Sequence, residues 1–220
     1  MRKESTKFII ENKCGDTVWP ATEAGAGTPQ LGTTGFELRH GVSISLDVPP
    51  GWSGRVWART LCSNNDTTRF RCNTGDCGSG TITCNGAGGV PPSSLVEFTL
   101  ENHASNDQDF YDISLVDSFN LPVSPISCPI NLNSGCPRQL AIGGSDGPVV
   151  ACKSACVAFG QPQYCCTGDY GSPNTCLPTV YSKYFKRGCP QAYSYAYDDC
   201  SSTFTCSGGP NYLITFCSRH

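Results

Sequence analysis

Ser94-Leu95-Val96-Glu97-Phe98-Thr99-Leu100 alternates in a way only an extended chain explains. Successive strand residues face opposite sides, so Val96, Phe98 and Leu100 share one face and Glu97 stands opposite with Leu95 and Thr99. The same short β-like grammar, bounded by Gly, Pro and Asn, recurs at residues 7–11, 41–48, 54–59, 110–116 and 211–216. That spacing predicts a mainly β chain folded as a sandwich. The first and last runs flank Cys14 and Cys217, so a bridge closing the two ends is expected.

Two stretches break the pattern. Residues 61–90 hold four cysteines among many Gly, Asn and Thr, which predicts a stapled loop region. Residues 128–192 hold eight more, with short helices expected at 153–159 and 179–187. Pro178 suits entry to the second helix, and Gly188 with Pro190 its stop. Neither an internal repeat nor a low-complexity tail is present.

Composition narrows the function classes. Lysine and arginine number 15 against 18 acidic residues, with no basic run, so nucleic acid lacks its electrostatic footprint. No stretch of about 20 apolar residues exists to span a membrane. Sixteen cysteines in 220 residues point to an oxidising compartment and to disulfides throughout. With Phe8-Ile9-Ile10 as the one apolar run near Met1, the chain is expected to be a mature form whose export signal has been removed. The sequon Asn65-Asp66-Thr67 makes Asn65 a candidate glycosylation site.

Cysteine chemistry other than bridging is disfavoured. Cys72-x4-Cys77 and Cys152-x3-Cys156 have spacings a metal can use, but the paired CxxC pattern is absent and only His40, His103 and His220 are available. No metal and no cofactor is therefore expected. Cys165 and Cys166 are adjacent and each is expected to bridge outward.

Charged groups occupy the less apolar strand faces: Arg55 and Arg59 beside Trp57, Glu97, and Asp112 beside Ser114. Two carboxyls on neighbouring strands can perform acid–base work when their environments split their pKa values. In glycoside hydrolysis a separation of roughly 5 Å gives retention and roughly 6.5 to 9.5 Å inversion. Against this stands the ordinary reading, surface carboxylates in weak salt bridges. Asp117 lies five residues from Asp112, so a regular strand would put them on opposite faces; a bend near Ser118 is needed to unite them.

Several blocks carry a family resemblance. They are Val56-Trp57-Ala58-Arg59-Thr60 with Cys62, Thr74-Gly75-Asp76-Cys77-Gly78, Phe110-Tyr111-Asp112-Ile113-Ser114-Leu115-Val116-Asp117-Ser118-Phe119-Asn120, Tyr164-Cys165-Cys166, Cys189-Pro190-Gln191-Ala192-Tyr193-Ser194-Tyr195 and Ser202-Thr203-Phe204-Thr205-Cys206. In this order, from about Phe8 to Cys217, the chain resembles the plant thaumatin-like proteins, pathogenesis-related family 5. The resemblance implies a flattened β-sandwich core (1–60, 91–127 and 193–220), a disulfide-rich domain with short helices (128–192) and a small disulfide loop domain (61–90).

It also implies an acidic cleft built from Arg55, Glu97, Asp112, Asp117 and Asp198, with Asp199 an alternative for the last position. By the same resemblance Glu97 would take the general-acid role and Asp117 would activate water or attack the sugar. The implied protein is a secreted (apoplastic or vacuolar) monomeric antifungal protein that binds β-1,3-glucan of the fungal cell wall; some relatives are allergens. Its alternatives are a weak endo-β-1,3-glucanase using Glu97 and Asp117, or a protein-targeting module, either an enzyme inhibitor or a receptor ligand. Sweet members are strongly basic, and a pI near 5.5 argues against that property.

The implied bridges are Cys14–Cys217, Cys62–Cys72, Cys77–Cys84, Cys128–Cys189, Cys136–Cys152, Cys156–Cys165 and Cys166–Cys176. Where the family has two cysteines between Asn120 and Cys136, this chain has only Cys128, which leaves the family partner Cys206 open. Cys200 is extra, and a Cys200–Cys206 bridge is expected.

Overall fold

The computed structural model describes residues 5–64, 69–102, 108–124, 128, 130–143 and 147–218. Asn65, His103 and His220 lie outside these. Eleven strands form among the described residues. They are β1 (Thr6–Asn12), β2 (Trp19–Ala24), β3 (Ser43–Val48), β4 (Ser53–Asn64), β5 (Phe70–Thr74), β6 (Leu95–Thr99), β7 (Gln108–Ser114), β8 (Ala141–Gly143), β9 (Val149–Cys152), β10 (Phe204–Ser207) and β11 (Tyr212–Phe216). Short helices α1 (Ala155–Phe159), α2 (Pro162–Cys165) and α3 (Val180–Gly188) fall between β9 and β10.

Strict alternation makes β1 the spine of the smaller sheet, because Phe8 and Ile10 point inward and Lys7 and Glu11 outward. The order is β11-β1-β3, with β11 parallel and β3 antiparallel to β1. The larger sheet runs β10-β7-β6-β4-β2, and β5 pairs with the far end of the twelve-residue β4. The two sheets meet through Phe8, whose ring lies 4.5 Å from Phe98 and 5.5 Å from Trp52, and through Tyr212, 5.0 Å from Phe98. This aromatic seam, with Val56, Val96 and Ile113, is the dry layer of a sandwich.

Residues 128–192 attach through a hydrogen-bonded hub. Asn120 donates to the carbonyl of Ala58 (2.8 Å) and to Thr74 Oγ1 (2.9 Å), and its Oδ1 accepts from the Ser94 amide (3.0 Å). Its own carbonyl accepts from Asn133 (2.8 Å). Helix α3 begins one residue later than expected, at Val180, because Thr179 serves as its cap: Thr179 and Ser182 bond reciprocally. Thr179→Ala is expected to lower stability by about 1 kcal/mol in guanidinium titrations, while a Ser replacement leaves it unchanged.

Seven disulfides join Cys14–Cys217, Cys62–Cys72, Cys77–Cys84, Cys128–Cys189, Cys136–Cys152, Cys156–Cys165 and Cys166–Cys176. The expected Cys200–Cys206 bridge is not formed; both are free thiols. The reason is directional. Cys206 lies on the inward-facing side of β10 with Phe204, packed against the core, whereas Cys200 is exposed in a short 3-10 turn, Asp199–Ser201.

Candidate functional site

The outer face of the larger sheet is organised in rows fixed by strand register. Ala21, Trp57, Leu95 and Ser114 stand side by side across β2, β4, β6 and β7. The next row is Glu23, Arg55, Glu97 and Asp112, and beyond it lie Ser53, Thr99 and Phe110. The first row is buried, and its apolar members Ala21, Trp57 and Leu95 lie beneath segment 75–90: Trp57 Nε1 donates to the Gly75 carbonyl (2.8 Å) and packs with Cys77 and Cys84. The middle row remains half-open, and four charged side chains meet there.

Behind the row, Gly54 shares the inner face with Phe98, and a Cβ there would lie 2.6 Å from the buried Trp52 ring and strike the Glu23 carbonyl, so β2 and Trp52 pack directly on its backbone. On one side of the row opens a hollow of about 450 Å³ lined by Gly25, Ala26, Ser53, Arg55, Glu97 and Phe110 among others. On the other side is a hollow of about 380 Å³ bordered by Leu95, Val116, Asp117, Tyr193 and Ala196. Glu97 and Asp112 line both, so the two form one groove across the strands.

The chain bends where Asp117 requires it. β7 ends at Ser114, the Ser118 amide bonds the Leu115 carbonyl (3.0 Å), and Ser118 adopts φ 92°. This turn brings the Asp117 carboxylate to 3.9 Å from Arg55 Nη1, on the side of the sheet where Asp112 stands. The segment after α3 forms the opposite wall. Tyr193 lies beside Ser114 as a bridge, its amide bonding the Ile113 carbonyl and its carbonyl accepting from Leu115, both at 2.8 Å.

The electrostatics of the row are asymmetric. Arg55 bonds Glu23 through Nε at 2.5 Å. Burial opposes the Arg55 charge, yet the Glu23 bond and the charges of Glu23, Glu97 and Asp117 raise its pKa. Burial raises Glu97 as well, with Arg55 pulling it down and Asp117 pushing it up. Asp112 is driven furthest, up to about 7, by burial first and then by the charges of Glu97 and Asp199. Its Oδ1 is buried without a hydrogen-bond partner. Burial, with Asp199 and Asp112 nearby, likewise pushes the Tyr193 hydroxyl up to about 12. The groove thus holds two carboxyls, Glu97 and Asp112, whose proton affinity burial raises, next to a fixed cation.

Four of the five sequence-predicted cleft residues, Arg55, Glu97, Asp112 and Asp117, converge here. Asp198 does not line the groove. It accepts from the Ser194 amide (3.0 Å) and hydroxyl (2.8 Å) and pairs with Lys186 of α3 at 3.0 Å, so it pegs the wall to the helix. Its neighbour Asp199 accepts from the Tyr193 hydroxyl (2.8 Å) and is the one whose charge reaches Asp112. The sequence reading missed Glu23, which closes the row at the β2 end.

The described residues contain no helix long and apolar enough to cross a membrane. A family model described as the Thaumatin family matches residues 12–218. Thaumatin-like protein 1 of Pyrus pyrifolia is 59% identical over 224 residues, spanning 97% of this chain and 91% of its own. A Prunus avium protein named glucan endo-1,3-beta-glucosidase is 54% identical over 219 residues, covering 94% of this chain and 89% of its own. Among solved structures, a thaumatin-like xylanase inhibitor aligns with a TM-score of 0.52 at 22% identity, over 96% of this chain and 99% of that one, which speaks to the fold. The chain therefore belongs to the thaumatin family.

Proposed function

We propose that this protein is a secreted antifungal defence protein that binds β-1,3-glucan of the fungal cell wall in the acidic groove. The observation that carries the reading is the row itself. Glu97 and Asp112 are partly buried at the junction of two hollows, and Asp112 keeps an oxygen unpartnered. Such groups are well placed to bond sugar hydroxyls, and an unsatisfied buried oxygen gains most from a new donor. Phe110, 43% exposed on the same face two residues along β7, offers a flat apolar surface to a sugar ring. Seven disulfides support an extracellular setting.

Isothermal titration with laminarin oligosaccharides tests the reading. Wild type is expected to bind, and Glu97→Gln or Phe110→Ala to weaken binding about tenfold. Wild type that does not bind laminarin overturns it.

A second reading, weak endo-β-1,3-glucan hydrolysis, is favoured by the environments of the carboxyls. Glu97 is held toward its protonated form, as a general acid requires, and Asp117 lies beside the Arg55 cation. The name of the Prunus avium relative points the same way. Reducing-end assays on laminarin separate the two. Hydrolysis lost in Glu97→Gln and Asp117→Asn with binding retained supports the enzyme; binding by wild type without hydrolysis supports the lectin-like protein.

A further inference from the structure

Arg55 and Glu97 are cross-strand neighbours of opposite charge on one face, the arrangement in which an ion pair ordinarily forms. They do not form one. Among the described residues, the ion pairs of Arg55 are with Glu23 at 2.5 Å and Asp117 at 3.9 Å. The Nε edge of the guanidinium is turned toward β2, away from Glu97.

Two features hold it there. Glu23 is the register partner of Arg55 on the side opposite Glu97, so the guanidinium stands between two carboxylates and is committed to one. Gly88 then roofs the pair. A Cβ at Gly88 would lie 2.7 Å from Glu23 Oε2 and 3.0 Å from Arg55 Nη2, so the backbone there packs directly on both side chains and partly excludes water. Glu23 and Arg55 are only 23% and 34% exposed, and a charge-assisted bond in such a place is stronger than one in open water.

We propose that Glu23 is a positioning residue of the groove, anchoring Arg55 on the β2 side beneath Gly88 so that Glu97 is left unpaired and available to a ligand. The assignment rests on the glucan-groove reading for its purpose, although the geometry it describes belongs to the free protein. Freed from Glu23, the guanidinium would turn to its other neighbour. Glu97 would then become an ion-paired carboxylate, poorer at donating a proton to a sugar oxygen.

The groups facing Glu97 are Arg55 on β4, Asp112 on β7, Asp117 in the turn after β7, Tyr193 on the wall and, through Arg55, Glu23 on β2. Site-resolved carbon-13 NMR titration of Glu97 in the sugar-free protein is the test. Glu23→Gln is expected to lower the Glu97 midpoint by about one unit, as a carboxyl gaining a close cation does. Glu23→Asp restores it at least in part. In an Arg55→Gln background, Glu23→Gln should no longer lower it, because the cation it releases is gone.

An unchanged Glu97 midpoint in Glu23→Gln overturns the proposal. So does an equal fall in the Arg55→Gln background, which would mean that Glu23 acts only by its own field. Retained thermal unfolding of each variant confirms that a folded protein is being read. Laminarin titration on the same samples forms a separate arm. Wild type that fails to bind glucan while the midpoint shifts as stated removes the glucan reading and leaves the Glu23–Arg55 anchor standing.

Discussion

Asp112→Asn is expected to make the protein more stable at pH 7, by about 2 kcal/mol, while weakening whatever the groove binds. The Asp112 carboxyl is half-buried beside Glu97, its Oδ1 has no partner, and its pKa is pushed from 3.8 up to about 7. A carboxyl whose folded value lies above its unfolded one holds its proton more tightly when folded. The stability it contributes is therefore complete below about 3.8 and is lost as pH rises through about 7. At pH 7, close to that value, the folded state bears the cost of a poorly solvated Asp112 that is only partly ionised, whereas the unfolded chain ionises it freely.

The groove is open to water on one side, which screens the charges, so about 2 kcal/mol is expected rather than the full value of the shift. Guanidinium titrations at pH 4 and pH 7 check this. Wild type should lose stability between the two through this group, and Asp112→Asn should have a flatter profile. A variant less stable than wild type at pH 7 would show that Asp112 is a structural acceptor and not a strained functional group. Stability forfeited at a functional site is the expected pattern for a groove kept ready for a ligand.

The second large effect lies two rows along β4, past Trp57. Arg59→Leu is expected to destabilise the protein by about 3 kcal/mol, although it replaces a buried charge with an apolar side chain. Arg59 is fully buried, with its pKa lowered to about 10 by burial and the Asp76 charge working against that fall. Its guanidinium donates to the carbonyls of Trp19 (3.0 Å) and Ile82 (2.6 Å) and lies 5.2 Å from the centre of the Phe70 ring. Leucine supplies neither the two donated hydrogen bonds nor the cation–π contact, and that combined loss is expected to outweigh the relief of desolvation. Arg59→Lys should recover little, because a single ammonium cannot reach both carbonyls in the plane a guanidinium does. A guanidinium midpoint for Arg59→Leu equal to that of wild type would show that the three groups do not depend on each other.

Strand period made much of the groove legible before any coordinates. The alternation at residues 95–100 and 110–116 puts Glu97 and Asp112 on outer faces, and both stand there. The bend that unites Asp117 with Asp112 is found at Ser118. What stayed hidden depends on contacts distant in sequence. β2 reads Trp-Pro-Ala-Thr-Glu-Ala, and Pro20 with two alanines gives no β signal, so an end strand and its Glu23 went unseen. Arg59 shares the outer face with Arg55 and reads equally as a surface charge; it is buried because segment 75–90 folds over that end of the sheet. The choice between Asp198 and Asp199 turns on a 3-10 turn and on Lys186 twelve residues earlier, which no periodicity encodes. The family resemblance likewise left Cys206 without its partner, and the extra Cys200 was matched to it with no signal for which way β10 faces.

The pairing of β1 with β11, sealed by Cys14–Cys217, makes most of this chain a covalent ring. A protease that cuts one peptide bond anywhere between those two cysteines opens the ring without releasing a piece. The severed ends are expected to stay tethered, and a nicked molecule to keep its groove wherever the cut falls outside the strands that form the row.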